Sequence, residues 1–114
     1  MMAKLFNKTK NTVLVPQVVV AESLVDRLVG LLRHDKLENQ GLWIKSNNSI
    51  HTYFMKFSID VVFVDRELKV KAIRSNVKPW KVVWPVWGAD STFELPAGTL
   101  NSMNLSLGDH LDVS

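Results

Sequence analysis

Apolar positions recur at two different periods along this chain, and the change of period divides it. Leu24, Leu28 and Leu31 with Val25, Val29 and Leu32 fall three to four residues apart and form two adjoining rows on one side of a helix. Ser23, followed three residues later by Asp26, opens that pattern as a capping box opens a helix, with Asp26 at the positive end of the helix dipole. The spacing predicts a helix over residues 23–33 and a second short turn that ends at Gly41.

Elsewhere the period is that of strands. Short runs rich in Val, Ile, Phe and Trp at 42–45, 51–54, 60–64, 70–74, 81–84, 91–95 and 110–113 are separated by Gly, Pro, Asn and charged residues, and runs at 5–7 and 13–20 precede the helix. Val61, Val62, Phe63 and Val64 do not alternate with polar residues, which predicts a strand buried on both faces. Residues 66–69 then turn the chain into a partner strand, making a central hairpin. On that partner, Lys69 and Lys71 alternate with Val70 and Ala72, as on the wet face of an edge strand. Many short strands beside a single helix predict a mainly β fold: a compact β-sandwich or partly open barrel of short, mostly antiparallel strands, with the N-terminal helix packed across an end or open side. The expected core is Leu28, Leu32, Val61, Phe63, Val64, Ile73, Phe93 and Leu95.

At 114 residues, 46% hydrophobic and 22% charged, the chain has the balance of one soluble globular domain, and no linker or repeat divides it. It has no cysteine, which excludes a disulfide framework, a thiolate nucleophile, an iron-sulfur cluster and a cysteine zinc site and leaves the redox compartment open. Lys4, Lys8 and Lys10 ahead of an apolar stretch look superficially like a secretory signal. Pro16 and Gln17 interrupt that stretch, however, and no small-x-small site follows Ala21, so a mature strand without a leader is expected. No run reaches the roughly 18 apolar residues of a membrane-spanning helix. The expectation is a soluble, cytoplasmic monomer without membrane contact. All 14 Lys and Arg lie within residues 1–81, whereas residues 82–114 carry only Asp90, Glu94, Asp109 and Asp112; the two halves can attract each other within one domain.

The polar residues that could carry chemistry are His51, Asp60 and Glu94. One histidine and two carboxylates could form an acid-base cluster or ligate iron or manganese, but their spacing matches no diagnostic metal motif, so no metal or cofactor is expected. A carboxylate at a strand entrance such as Asp60 more often ties down backbone amides of a neighbouring loop. His51, beside Tyr53 and Phe54, is more often packed than reactive. Ser49 stands two residues from His51 on one strand face, but no nucleophile elbow surrounds it. The stretch 66–81, with Arg66, Lys69, Lys71, Arg74, Lys78 and Lys81, is followed by Trp84 and Trp87, a mixture that could stack bases or sugars and contact phosphates.

His51-Thr52, Met55 and Ile59-Asp60-Val61-Val62-Phe63, preceded by Gly30-Leu31-Leu32 and Gly41-Leu42-Trp43, are followed by Lys78-Pro79-Trp80, Glu94-Leu95-Pro96-Ala97-Gly98 and Gly108-Asp109. In this order and spacing, from about Val18 to the C-terminus, they resemble the domain of unknown function 192 family (uncharacterised protein family 0127). The resemblance implies a compact, β-rich single domain, found behind a secretion signal in many members, and no established activity. Trp80 belongs to a family-like motif and is expected to be packed. Trp84 and Trp87, outside any such motif, are the tryptophans expected to be exposed.

Three functions compete. The first is a non-enzymatic binding or interaction module that takes a small molecule, glycan or protein at Trp84, Trp87 and His51. The second is a small hydrolase or isomerase using His51 with Asp60 or Glu94 as acid-base groups. The third, a weak nucleic-acid binder acting through the basic stretch 66–81, is disfavoured because a guarded edge strand already accounts for those cations. The first reading is preferred.

Overall fold

The computed structural model describes residues 2–21, 40–53, 55–102 and 104–114. The expected helix over 23–33, with Leu28 and Leu32, lies outside the described residues. The described chain forms β1 (Met2–Asn7), β2 (Thr12–Ala21), β3 (Gln40–Ile44), β4 (Ile50–His51), β5 (Ile59–Val64), β6 (Val70–Val77), β7 (Val82–Val83), β8 (Ser91–Pro96), the one-turn helix α1 (Thr99–Ser102) and β9 (Leu111–Val113).

Seven strands make one sheet in the order β6-β5-β8-β3-β2-β1-β9, and β4 with β7 makes a separate ribbon. Among the described ladders only β2 with β3 is parallel, the others being antiparallel. The sheet curls until its two ends touch. Val70 N–H donates to the Asp109 carbonyl, Gly108 N–H to the Val70 carbonyl and Leu111 N–H to the Leu68 carbonyl, each at 2.9 Å. Past Val70 the ends diverge, so the molecule is the partly open barrel among the expected forms, and among the described residues nothing pairs with the outer edge of β6 beyond Val70.

Each face of the sheet buries its own cluster. Val62, Val64, Phe93 and Leu95 share one with Leu5, Leu14, Val15, Val18, Val70 and Leu111. Strands from both ends of the order meet there, so this cluster fills the inside of the curl. Ile59, Val61 and Phe63 point the other way and pack with Leu42, Ile44, Met55 and Ala72 beneath Ile50 and Val83 of the ribbon. All six residues of β5 are therefore buried, which is why its sequence shows no alternation. Of the expected core, Val61, Phe63, Val64, Phe93 and Leu95 are fully buried, while Ile73, on the terminal strand, is half-buried.

Two expectations are corrected. The β5-β6 hairpin forms, but it stands at one end of the sheet and not at its centre, because β8 pairs with the other edge of β5. Gly41 does not end a turn; it lies within β3, where an added Cβ would stand 3.0 Å from Leu95 Cδ2 and 3.3 Å from the Glu94 carbonyl oxygen. Close packing of β3 against β8 accounts for that glycine.

The closed end of the barrel is tied by Asp109. Its carboxylate accepts hydrogen bonds from Asn7 Nδ2 at 2.9 Å and Ser106 N at 3.0 Å and pairs with Lys10 Nζ at 3.2 Å, while Asn7 Oδ1 accepts from the amides of Thr9 and Lys10. Burial works to raise the Asp109 pKa, but the bonds from Asn7 and Ser106 and the Lys10 ammonium outweigh it, so the carboxyl titrates below its ordinary value. A depressed carboxylate pKa adds stability above the unfolded-state value of about 3.9, and that stability is lost as pH falls through the lower folded value. Asp109→Asn is expected to cost about 2 kcal/mol at neutral pH and to flatten the acid side of the stability curve below about pH 4. Urea midpoints measured across that range test this, and an unchanged acid limb contradicts it.

Candidate functional site

Residues 50–53 and 78–87 build the most exposed apolar surface among the described residues. In the ribbon, Ile50 pairs with Val83 and His51 with Val82, so strand alternation sends the first pair into the core and the second outward. Thr52 then turns back inward and is completely buried. Its hydroxyl donates to the Lys78 carbonyl at 2.6 Å and accepts from Lys81 N at 2.8 Å, and its carbonyl accepts from Trp80 N at 2.9 Å. The two family-like segments His51-Thr52 and Lys78-Pro79-Trp80 are thus one unit, with Thr52 as the clamp.

That clamp holds Trp80 at φ 65°, outside the core. Trp80 is 60% exposed, and the expectation that it is packed is corrected here: the clamp engages the backbone of 78–81, while the indole lies against Tyr53 on the surface. Ring centroids of His51 and Tyr53 are 4.9 Å apart and nearly parallel, and those of Tyr53 and Trp80 are 6.0 Å apart. His51 therefore belongs to an aromatic row. Beyond it, the Val86 and Ala89 side chains pack into the outer cluster and Val86 N–H donates to the Asn48 carbonyl, which pins loop 84–89 at two points. The residues between are turned outward, leaving Trp84 78% and Trp87 98% exposed, as the sequence predicts.

Two clefts flank the ribbon. One, of about 590 Å³, is bordered by Ile44, Asn47, Ser49, His51, Tyr53 and Val82. The other, of about 410 Å³, lies between β6 and the ribbon, with Ile73, Arg74 and Val77 on one side and Val82, Trp84 and Pro85 on the other.

The two carboxylates of the acid-base reading do not share a surface. Asp60 lies on the inner face of β5, where Oδ1 accepts from Asn76 N at 2.8 Å and Oδ2 from Gly98 N at 3.1 Å and Leu100 N at 2.9 Å. It fills the bulge where β6 departs from β5 and ties that bulge to the turn after β8. Glu94 lies on the outer face, between Leu42 and Val61, and is completely buried beneath the ribbon. Among the described residues no group of three His, Asp or Glu is close enough to hold a metal ion, and no helix is long and apolar enough to cross a membrane. Sequence reasoning missed Thr52 and Tyr53. Thr52 left a signal in its pairing with His51 in the family-like motif, whereas the outward turn of Tyr53 left none.

The Asp60 geometry generates a prediction. Asp60→Ala removes the acceptor of three backbone amides and is expected to cost about 2–4 kcal/mol, read as a lower urea midpoint. Stability unchanged within about 0.5 kcal/mol would mean that the carboxylate does not hold the bulge and turn together.

Comparison with known proteins agrees with this architecture. Residues 5–113 match the model of the family DUF192, described as "Uncharacterized ACR, COG1430". A UPF0127 protein of Thermococcus sibiricus is 33% identical over 113 residues, covering 95% of this chain and 73% of its own, and one of Pyrococcus horikoshii is 32% identical over 109 residues, covering 92% and 94%. Two crystal structures share the fold: a candidate transcription regulator from Sinorhizobium meliloti 1021, with TM-score 0.77 and 19% identity over 98% of this chain and 92% of its own, and a protein of unknown function from Novosphingobium aromaticivorans, with TM-score 0.79 and 17% identity over 98% and 84%. With a family match over nearly its whole length, this chain belongs to the DUF192 family, whose curated relatives carry the name UPF0127.

Proposed function

We propose that this protein is a non-enzymatic binding module that takes its ligand or partner on the aromatic surface built by the ribbon and loop 84–87. The observation that carries the reading is the exposure of Trp84 at 78% and Trp87 at 98%, on a ribbon and loop that also leave Trp80, Tyr53 and Val82 exposed. A fully solvated indole forfeits the largest apolar burial any side chain offers, and a cluster of them is the composition of a binding hot spot. The anchoring of the loop through Val86 and Ala89 supports it, because a platform held at both ends loses little conformational entropy when something binds. Two flanking clefts supply concave ground on either side.

An acid-base enzyme is the weaker reading, because the Asp60 carboxylate already serves three backbone amides and the Glu94 side chain is completely buried beneath the ribbon. Screening of glycans, peptides and oligonucleotides by tryptophan fluorescence tests the proposal. A ligand that shifts the emission is expected to lose at least about 100-fold in affinity in the Trp84→Ala, Trp87→Ala double variant, the loss of two hot-spot residues. An unchanged affinity of that variant for every ligand found would move the site elsewhere.

A further inference from the structure

Among the described residues, one edge of the sheet is left without a strand partner beside the tryptophan loop. Strand β6 pairs with β5 along one side, and on the other, among the described residues, only Val70 has a backbone partner, through Gly108 and Asp109. Among the described residues nothing pairs with the outer edge of 73–77. That edge borders the groove of about 410 Å³ whose far wall is Val82, Trp84 and Pro85. Asp60 takes the Asn76 N–H and Arg74 Nη1 donates to the Ile73 carbonyl; the other edge groups of this segment, facing an apolar wall across a gap, make the arrangement that accepts an additional strand.

Charge selects what can enter. Residues 68–89 contain Lys69, Lys71, Arg74, Lys78 and Lys81 and no acidic residue. Lys71, Arg74, Lys78 and Lys81 are exposed, and the nearby carboxylate of Asp60 is buried and already bonded to amides. Lys71 reaches Asp65 at 3.8 Å, but Asp65 stands at the far end of β6, beyond the groove. A second copy of this chain pairing edge to edge would bring these cations against their equivalents, so the charges that guard the edge against self-association favour an acidic strand.

We propose that the groove takes an extended acidic segment of a partner protein, which adds as a strand to the free edge of residues 73–77 while its apolar side chains lie against Trp84. The proposal rests on the reading of loop 84–87 as a binding surface and specifies the chemistry of the partner. Backbone bonding gives the register, Trp84 and Val82 receive alternate apolar side chains, and Arg74, Lys78 and Lys81 face the acidic ones.

The probe is a labelled peptide of about ten residues alternating glutamate and valine, long enough for a strand of ordinary length. It is compared with the same peptide N-methylated at alternate residues, a lysine-valine peptide and oligothymidine. The acidic peptide is expected to bind with a Kd of about 10–100 μM, more weakly at high salt, and to slow amide exchange at 73–77. Arg74→Glu with Lys78→Glu, both exposed positions, is expected to weaken it at least about 10-fold while leaving the thermal melt unchanged. Alternate N-methylation is expected to abolish it.

Binding that survives N-methylation, or that leaves exchange at 73–77 unchanged, overturns strand addition; if Trp84→Ala still weakens that binding, the loop reading stands. Slowed exchange at 73–77 that is indifferent to Trp84→Ala overturns the role given to Trp84 and the loop reading with it. No binding below about 1 mM, or tighter binding of the lysine-valine peptide or oligothymidine, overturns the choice of an acidic partner. Concentration-dependent protection of 73–77 without peptide would assign the edge to a second copy instead.

Discussion

A sheet that is apolar on both faces must be covered on both, and the rest of this structure follows from how a short chain does so. Strands β5 and β8 carry the constraint: Val62 and Phe93 point one way, and Val61 and Phe63 the other, with no exposure at any of them. The inner face is covered by curling the sheet until β6 reaches β9, so that Leu5, Leu14, Val15 and Leu111 close over the same cluster. The outer face receives Ile50 and Val83 from the ribbon. Burying about ten side chains of this size on each face is the main source of stability, and neither face could form without its cover.

Curling a sheet and turning sharply between short strands leaves backbone amides without ladder partners, and aspartates supply the missing acceptors. Asp60 serves the bulge of β6 and the turn after β8. Asp109 joins the β1-β2 turn to the chain entering β9, and Asp65 Oδ1 accepts from the amides of Glu67 and Lys69 in the β5-β6 turn. Burial works against ionisation of Asp65, yet those amides, with Lys71 and Lys69, hold its pKa below the ordinary value. Carboxylates suit this work because one oxygen can accept two amide hydrogens at once, and a charged acceptor makes the stronger bond. In this fold the aspartates Asp60, Asp65 and Asp109 are architectural.

The exposed aromatic surface has the opposite character, since the fold spends nothing on hiding it. Thr52 and Val86 hold the backbone of two consecutive loops, and in doing so they set Trp80, Trp84 and Trp87 outside the core. The same loops bring the ribbon close to the free end of β6 without pairing to it, which leaves a groove between two sheets that a continuous barrel would have closed.

The legibility of these features in the sequence follows how local their causes are. Strand periodicity, the two-sided burial of β5 and the wet edge of β6 were readable, because side-chain alternation is written residue by residue. The one-turn helix α1 was not, being too short for any period to show. The exposure of Trp84 and Trp87 was legible from their place in a Pro- and Gly-punctuated loop, yet the same reasoning packed Trp80, whose position depends on a hydroxyl 28 residues earlier. Sequence placed His51, Asp60 and Glu94 as one set; alternation along two paired strands puts Asp60 and Glu94 on opposite faces, and pairing register is a property of the assembled sheet. By itself, then, the sequence determined fold class, most strand positions and family. Tertiary structure alone decided that the barrel closes at one end, that β5-β6 is terminal, that Asp60 and Asp109 are knots and that β6 faces Trp84 across a groove, because each depends on contacts between residues far apart in the chain.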